Sequence, residues 1–187
     1  MIYFPTMSSS SNGGHGVDRS DAAALPVETR RLRLIPATTE IVQARSQGSA
    51  ALAKTLAASI PELWPPKHVP DPDSPDGAAW WNWYFVRRPA DADEPLLIGF
   101  GGIKGWSSGA RTVQMGCAFL DEHQAQGYAP EALEAMTEWA FSKSVDRVII
   151  DVPSGHTPSM KVLSRIGYVA TGPGSDQALT RYERRRG

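Results

Sequence analysis

One stretch of this sequence leaves the fold little freedom. Residues 112–120 form an apolar run of strand length, residues 127–144 carry a helical apolar stripe, and residues 147–152 are a second apolar strand. A strand, a helix and a strand within about 40 residues make a βαβ unit. Its two strands lie parallel, because the crossover returns the chain to the end of the sheet where it began. The stripe is built from Ala129, Leu133, Met136 and Ala140, joined by Ala132 and Trp139. Pro130 and Glu131 suit the helix's first turn, where a missing N–H is harmless and a carboxylate meets a positive dipole end.

The turn that opens this helix reads Gln124-Ala125-Gln126-Gly127-Tyr128-Ala129. The first N–H groups of a helix have no partner within it. Small residues there let a diphosphate come close enough to accept several of those hydrogens. The order of elements therefore predicts an anion cradle at a strand-to-helix junction.

Other segments arrange themselves around that unit. Residues 1 to about 25 are rich in Ser, Gly, Asp and Ala and are expected to form a disordered leader, with Met7 as an alternative start. Residues 26–187 are expected to form a single domain, a length usual for one core. Residues 29–35 alternate as a strand that Pro36 ends. Thr38 or Thr39 is placed to cap a helix running to about Ala58, with Gly48 a weak point inside it. The prolines between Pro61 and Pro75 predict a long loop, followed by a short helix over 76–81. Residues 83–88 and 96–103 read as antiparallel strands, and residues 112–120 follow them after a loop at Ser107-Ser108-Gly109. A helix starting at Thr157 or Ser159 and stopping at Gly167, then strands at 168–171 and 179–184, complete the chain.

Composition narrows the function. A net charge of −1 gives no global electrostatic support for nucleic acid, and Arg184-Arg185-Arg186 reads as a solvated tail. The single cysteine, Cys117, excludes an internal disulfide framework and a cysteine zinc site, and no metal is expected. Within its apolar strand, Cys117 reads as a small packed hydrophobe. No apolar run approaches the roughly 20 residues that span a bilayer, so a cytoplasmic protein with no membrane partner is expected. A dinucleotide-binding enzyme is disfavoured, because no Gly-x-Gly-x-x-Gly follows an early strand.

Two motifs carry a resemblance. Gln124 to Ala129 resembles the Gln/Arg-x-x-Gly-x-Gly/Ala motif of GCN5-related N-acetyltransferases, the GNAT superfamily. The run from Ser159 to Tyr168 is similar to the Asn-x-x-Ser-x-x-Val-Leu-x-Lys-x-Gly-Phe signature of the branch that acetylates ribosomal-protein N-termini. The resemblance implies a mixed α/β fold: a mostly antiparallel central sheet, flanked by helices, with one parallel pair at a central splay. It also implies an enzyme that moves acetyl from acetyl-CoA to a primary amine, on a small molecule or a protein N-terminus, by direct attack in a ternary complex. A homodimer is compatible with it. By resemblance, backbone groups of Cys117, Ala118 and Phe119 pair with the pantetheine arm. Main-chain N–H groups from Gln124, Ala125, Gln126, Gly127, Tyr128 and Ala129 hold the pyrophosphate.

This chain departs from the family pattern in several places. Leu163 stands where many members carry the tyrosine that protonates the leaving thiolate. Ser159 is the substitute that the ribosomal branch suggests, and a helix cap is its alternative role. Gln114 replaces a glutamate and cannot act as a base, leaving Asp151, His123, Glu62 and His68, a water relay, or no base at all, as the alternatives. His156 replaces the asparagine three residues before the serine, either donating to the pantetheine arm or serving as a plain loop residue. Gln126 replaces a basic residue, so charge assistance to the diphosphate is lost there. Trp64 with Trp80 or Trp81 forms either core packing or an apolar wall for the acceptor, and Asp71, Asp73 and Asp76 either steer a cationic amine or are simply solvated. The missing tyrosine and carboxylate leave open a non-catalytic acyl-CoA sensor or scaffold of the same fold.

Overall fold

The computed structural model describes residues 25–66, 80–89, 94–105 and 111–187. The expected leader up to residue 24, residues 76–79 of the expected short helix, the loop at 107–109, His68, Asp71, Asp73, Asp76 and the side chains of Trp80 and Trp81 lie outside the described residues; the backbone of residues 80 and 81, expected to end that helix, is instead strand paired with Lys104 and Ile103. In chain order the elements are β1 (Val27–Glu28), β2 (Leu32–Pro36), α1 (Thr39–Ser46), α2 (Ser49–Leu56), β3 (Trp80–Arg87), β4 (Leu96–Lys104) and β5 (Thr112–Phe119). A 3-10 turn (Asp121–His123) leads into α3 (Tyr128–Ser142), followed by β6 (Arg147–Pro153), α4 (Thr157–Arg165), β7 (Val169–Pro173) and β8 (Leu179–Arg185). The strands form one mixed sheet in the order β1-β2-β3-β4-β5-β6-β8-β7. All neighbours are antiparallel except β5 and β6, the pair linked by the α3 crossover.

Side-chain alternation on the central strands feeds two cores. Trp83 and Phe85 face α3, where they join Met115, Cys117, Leu133 and Met136. Tyr84 and Val86 face α1 and α2, where they join Ile41, Leu52, Leu56 and Phe100. The aromatic residues described here are packing elements. Trp83 meets Trp139 edge-on at 5.0 Å, and Tyr84 meets Phe100 at 5.6 Å and Trp64 at 6.1 Å. Glycines in β4 make room for this layer. A methyl group on Gly101 would sit 2.3 Å from the Phe85 ring and 3.0 Å from Met136 Sδ.

The helix expected from 38 to 58 is two helices. Thr38 caps the first, its Oγ1 accepting from the Ile41 N–H at 3.4 Å. The chain then breaks at Gly48, whose φ of 110° no helix interior accepts, and α2 starts at the next residue. The break lets Ile41 and Ala44 of α1 and Leu52 and Leu56 of α2 all turn toward the sheet.

The parallel pair positions the site. It joins only Thr112 with Arg147, Val113 with Val148 and Gln114 with Ile149. Beyond those residues β5 remains paired with β4 as far as Phe119, and β6 with β8 as far as Pro153, so the sheet splays between them.

Candidate active site

A cleft of about 470 Å³ lies where the α3 entry turn faces the start of α4. Phe119, His123, Gln124, Ala125, Gly127, Tyr128, Ala129 and Pro130 line one side; His156, Pro158, Ser159, Lys161, Val162 and Arg165 line the other. The structure thus brings the two sequence motifs together across one cavity.

On the first side, no side chain caps α3, so its first N–H groups remain without an internal partner. Ala125 and Gly127 both occupy the left-handed region, at φ 57° and 80°. Such backbone gathers N–H groups into a concavity that suits an anion. Two side chains brace the turn from within. Gln124 Nε2 donates to Asp121 Oδ1 at 2.8 Å and to the Phe119 carbonyl at 3.1 Å. Gln126 Nε2 donates to the Glu122 carbonyl at 2.7 Å and stays out of the cleft lining. The Tyr128 ring is buried, stacked on Phe119 at 6.3 Å.

A third brace comes from far away in sequence. Arg31, between β1 and β2, donates from Nη1 to the Gln126 carbonyl at 2.9 Å, and its guanidinium lies 4.4 Å over the Tyr128 ring. Its Nε donates to Glu131 Oε2 at 2.7 Å. Glu131 Oε1 also accepts from the Arg31 N–H at 2.7 Å and from Thr29 Oγ1 at 2.6 Å. Burial alone would raise the Glu131 carboxyl, but these bonds and the guanidinium charge outweigh it and hold the group below the usual carboxylate range. Glu131 was legible as a first-turn acid; Thr29 and Arg31 were not, because no periodicity ties them to α3.

On the opposite side, α4 begins at Thr157 and its capping position is His156. Ser159 is therefore inside the first turn, and its reading as the cap is corrected. Its hydroxyl is buried and lies 2.8 Å from His156 Nδ1. Leu163, at the place of the expected tyrosine, is fully buried in the α3-side core and cannot reach a sulfur in the cleft. Pro158, Lys161, Val162 and Arg165 follow helical spacing from the same turn, so α4 presents two cations to the cavity. Their separation of four residues was the signal in the sequence.

At the splay, backbone direction sorts the three strand residues. The Leu120 N–H donates to the Ile98 carbonyl at 3.0 Å, and Ala118 stands opposite Phe100. Antiparallel alternation then turns Ala118's backbone toward β4 and that of Cys117 and Phe119 toward the open side. Ala118's backbone groups thus face β4, and Phe119's carbonyl already accepts from Gln124. The Cys117 thiol itself is buried and pushed up to about 12 by that burial, so it is no nucleophile.

The base candidates separate. Asp151 has no exposed surface and accepts from Arg181 Nε and Nη2 at 2.9 Å each, from the Ser175 N–H at 2.9 Å and from Gln114 at 3.4 Å. Burial would raise its carboxyl, yet Arg181 and Ser175 hold it below the ordinary range, which makes it a structural anion and a weak base. His123 lines the cleft, and burial pushes its imidazole down, with Glu122 opposing and Arg87 assisting, so it favours the neutral form. Glu62 is exposed on the proline-rich loop. Among the described residues, no three His, Cys, Asp or Glu side chains converge as a metal site. No helix among them is long and apolar enough to cross a membrane.

A family model described as an acetyltransferase (GNAT) domain matches residues 26–169. Among solved structures, an acetyltransferase from Agrobacterium tumefaciens superposes with a TM-score of 0.57 at 20% identity, covering 95% of this chain and 100% of that one. The ribosomal-protein-S5-alanine acetyltransferase of Vibrio fischeri gives 0.57 at 15% identity, covering 86% and 96%. A GNAT-family acetyltransferase of Bacillus anthracis gives 0.53 at 18% identity, covering 85% and 96%. At such identities the likeness establishes the fold. A search of curated protein sequences finds no significant match.

Proposed function

The chain belongs to the GNAT acetyltransferase family, and from that premise we propose that it transfers acetyl from acetyl-CoA to a primary amine by direct attack in a ternary complex. The observation that carries this reading is the cleft itself: an uncapped helix start and a buried hydroxyl face one cavity at the mouth of a splayed parallel pair.

In this reading the N–H groups of the 124–129 turn hold the diphosphate, with Lys161 and Arg165 supplying the positive charge that Gln126 does not. Backbone groups of Cys117 and the Phe119 N–H bind the pantetheine arm as an added strand. Such alignment of two substrates can supply much of the rate without a covalent intermediate. The amine lone pair attacks the thioester carbon, the carbonyl electrons move to oxygen, and the C–S bond breaks as they return. Ser159 donates to the departing thiolate. When His156 Nδ1 carries a proton, it donates to Ser159 Oγ and directs the serine's own hydrogen away from the ring. With Asp151 committed to Arg181, the amine's proton leaves through water or through the neutral His123.

The acceptor is an amine on a small molecule or a protein N-terminus. A cytoplasmic location, with residues 26–187 acting as one domain, completes the reading. Calorimetry with CoA and turnover with a panel of amines test it. Binding together with acetylated product is expected; CoA binding without any product would leave a sensor, and no binding would reject both.

A further inference from the structure

We propose that Arg31 is a positioning residue for the acyl donor: it sets the shape of the diphosphate-binding turn and neutralises the carboxylate that stands beside it. The proposal rests on the reading of residues 124–129 as the diphosphate cradle.

A trans peptide is planar, and its carbonyl and N–H point in opposite directions. Arg31 Nη1 holds the Gln126 carbonyl at 2.9 Å. The N–H of the same peptide belongs to Gly127 and is thereby turned away from Arg31. Gly127 lines the cleft, whereas Arg31 and Gln126 do not. Arg31 therefore stands behind the turn and aims a donor into the cavity. A methyl group on Gly127 would lie 3.2 Å from Arg31 Nη2, so the guanidinium packs directly on the turn. The face of Tyr128, 4.4 Å below, fixes the guanidinium's plane.

Glu131 is the acidic residue of α3's first turn. A carboxylate there favours the helix dipole but repels a bound diphosphate at the same helix end. Arg31 pairs with it through Nε at 2.7 Å, while Thr29 and the Arg31 N–H occupy its other oxygen. The pair presents no net charge to the ligand, and the N–H groups act unopposed. Arg31 thus reaches from the β1–β2 connection to brace the turn and cancel the Glu131 charge, a role separate from the positive charge that Lys161 and Arg165 bring to the cleft.

Three variants test this: Arg31→Gln, Arg31→Lys and the double variant Arg31→Gln/Glu131→Gln, with calorimetry against CoA and steady-state kinetics against acetyl-CoA. For Arg31→Gln, the Kd for CoA and the KM for acetyl-CoA are expected to rise about tenfold, with kcat within about twofold, as for the loss of a charge-assisted hydrogen bond. Arg31→Lys keeps the charge but not the fork and is expected to fall between that variant and wild type. The double variant is expected to recover about threefold or more of the CoA affinity, because the unopposed anion is gone. A purely architectural role predicts no such recovery. The proposal is overturned if Arg31→Gln and Arg31→Lys bind CoA as wild type does, or if the double variant binds no better than the single one. If wild type itself fails to bind CoA, the cradle reading falls first and the proposal with it, a result distinct from normal wild-type binding with silent Arg31 variants.

Discussion

Ser159 combines a buried hydroxyl with an imidazole partner 2.8 Å away, an arrangement that a solvated or capping serine has no need of. Ser159→Ala is expected to lower kcat by about 10²-fold, the range for losing a positioned proton donor, with little change in the KM for acetyl-CoA. His156→Asn keeps a donor and is expected to retain most of the rate, whereas His156→Ala is expected to lose it; steady-state kinetics on both variants decides. A drop in melting temperature with unchanged kcat for Ser159→Ala would return the serine to a structural role. Gly127 sits at φ 80° with Arg31 packed behind it. Gly127→Glu adds a strained residue and a negative charge, and calorimetry is expected to show no CoA binding. These positions were legible from two short motifs, because chemistry fixes residue type at fixed spacing. Arg31 was not, since its partners lie about a hundred residues away and only the fold brings them together.

At the level of elements, alternation and helical stripes placed each described strand of five or more residues, though β3 starts at Trp80 inside the segment expected to be helical, and both C-terminal-half helices. The failures have local causes. A glycine at φ 110° split one expected helix in two, and the two-residue strand β1 is too short to show any period. Packing between elements turns on β4. Gly101→Ala is expected to cost about 1–3 kcal/mol in urea denaturation through overpacking against Phe85. Pairing it with Phe85→Leu should recover part of that loss, since the two positions touch. Between β6 and β8, the buried carboxylate of Asp151 pairs with the partly exposed guanidinium of Arg181, and Asp151→Asn is expected to cost about 1–3 kcal/mol at pH 7 through its lost charge-assisted hydrogen bonds. Because the folded carboxyl lies below its unfolded value, its contribution is complete above the ordinary carboxylate range, around pH 4. It is lost as pH falls through the lower folded value. The stability gap between wild type and Asp151→Asn should therefore narrow as pH falls below about 4, and denaturation curves at pH 7 and pH 3 check this.

In the whole molecule, β1 to β5 with α1 and α2 form one wing and β6 to β8 with α4 the other, and the two wings are joined within the sheet by the three β5–β6 residue pairs and bridged by α3. The cleft is lined from both wings, so a ligand there adds contacts across the seam. CoA at about 100 times its Kd is expected to stabilise the fold by about 2.7 kcal/mol, a rise of roughly 5–10 °C in Tm by scanning calorimetry. That seam has a further consequence. Among the central strands the seam is the shortest junction, three residue pairs against six between β4 and β5 and seven between β6 and β8, so brief local opening there should expose the chain to proteases. Limited digestion is expected to cut the free protein and spare the CoA-saturated one. A cell running short of the acetyl donor would then lose the enzyme along with the reaction, and supply of a metabolite would set the lifetime of the catalyst that consumes it.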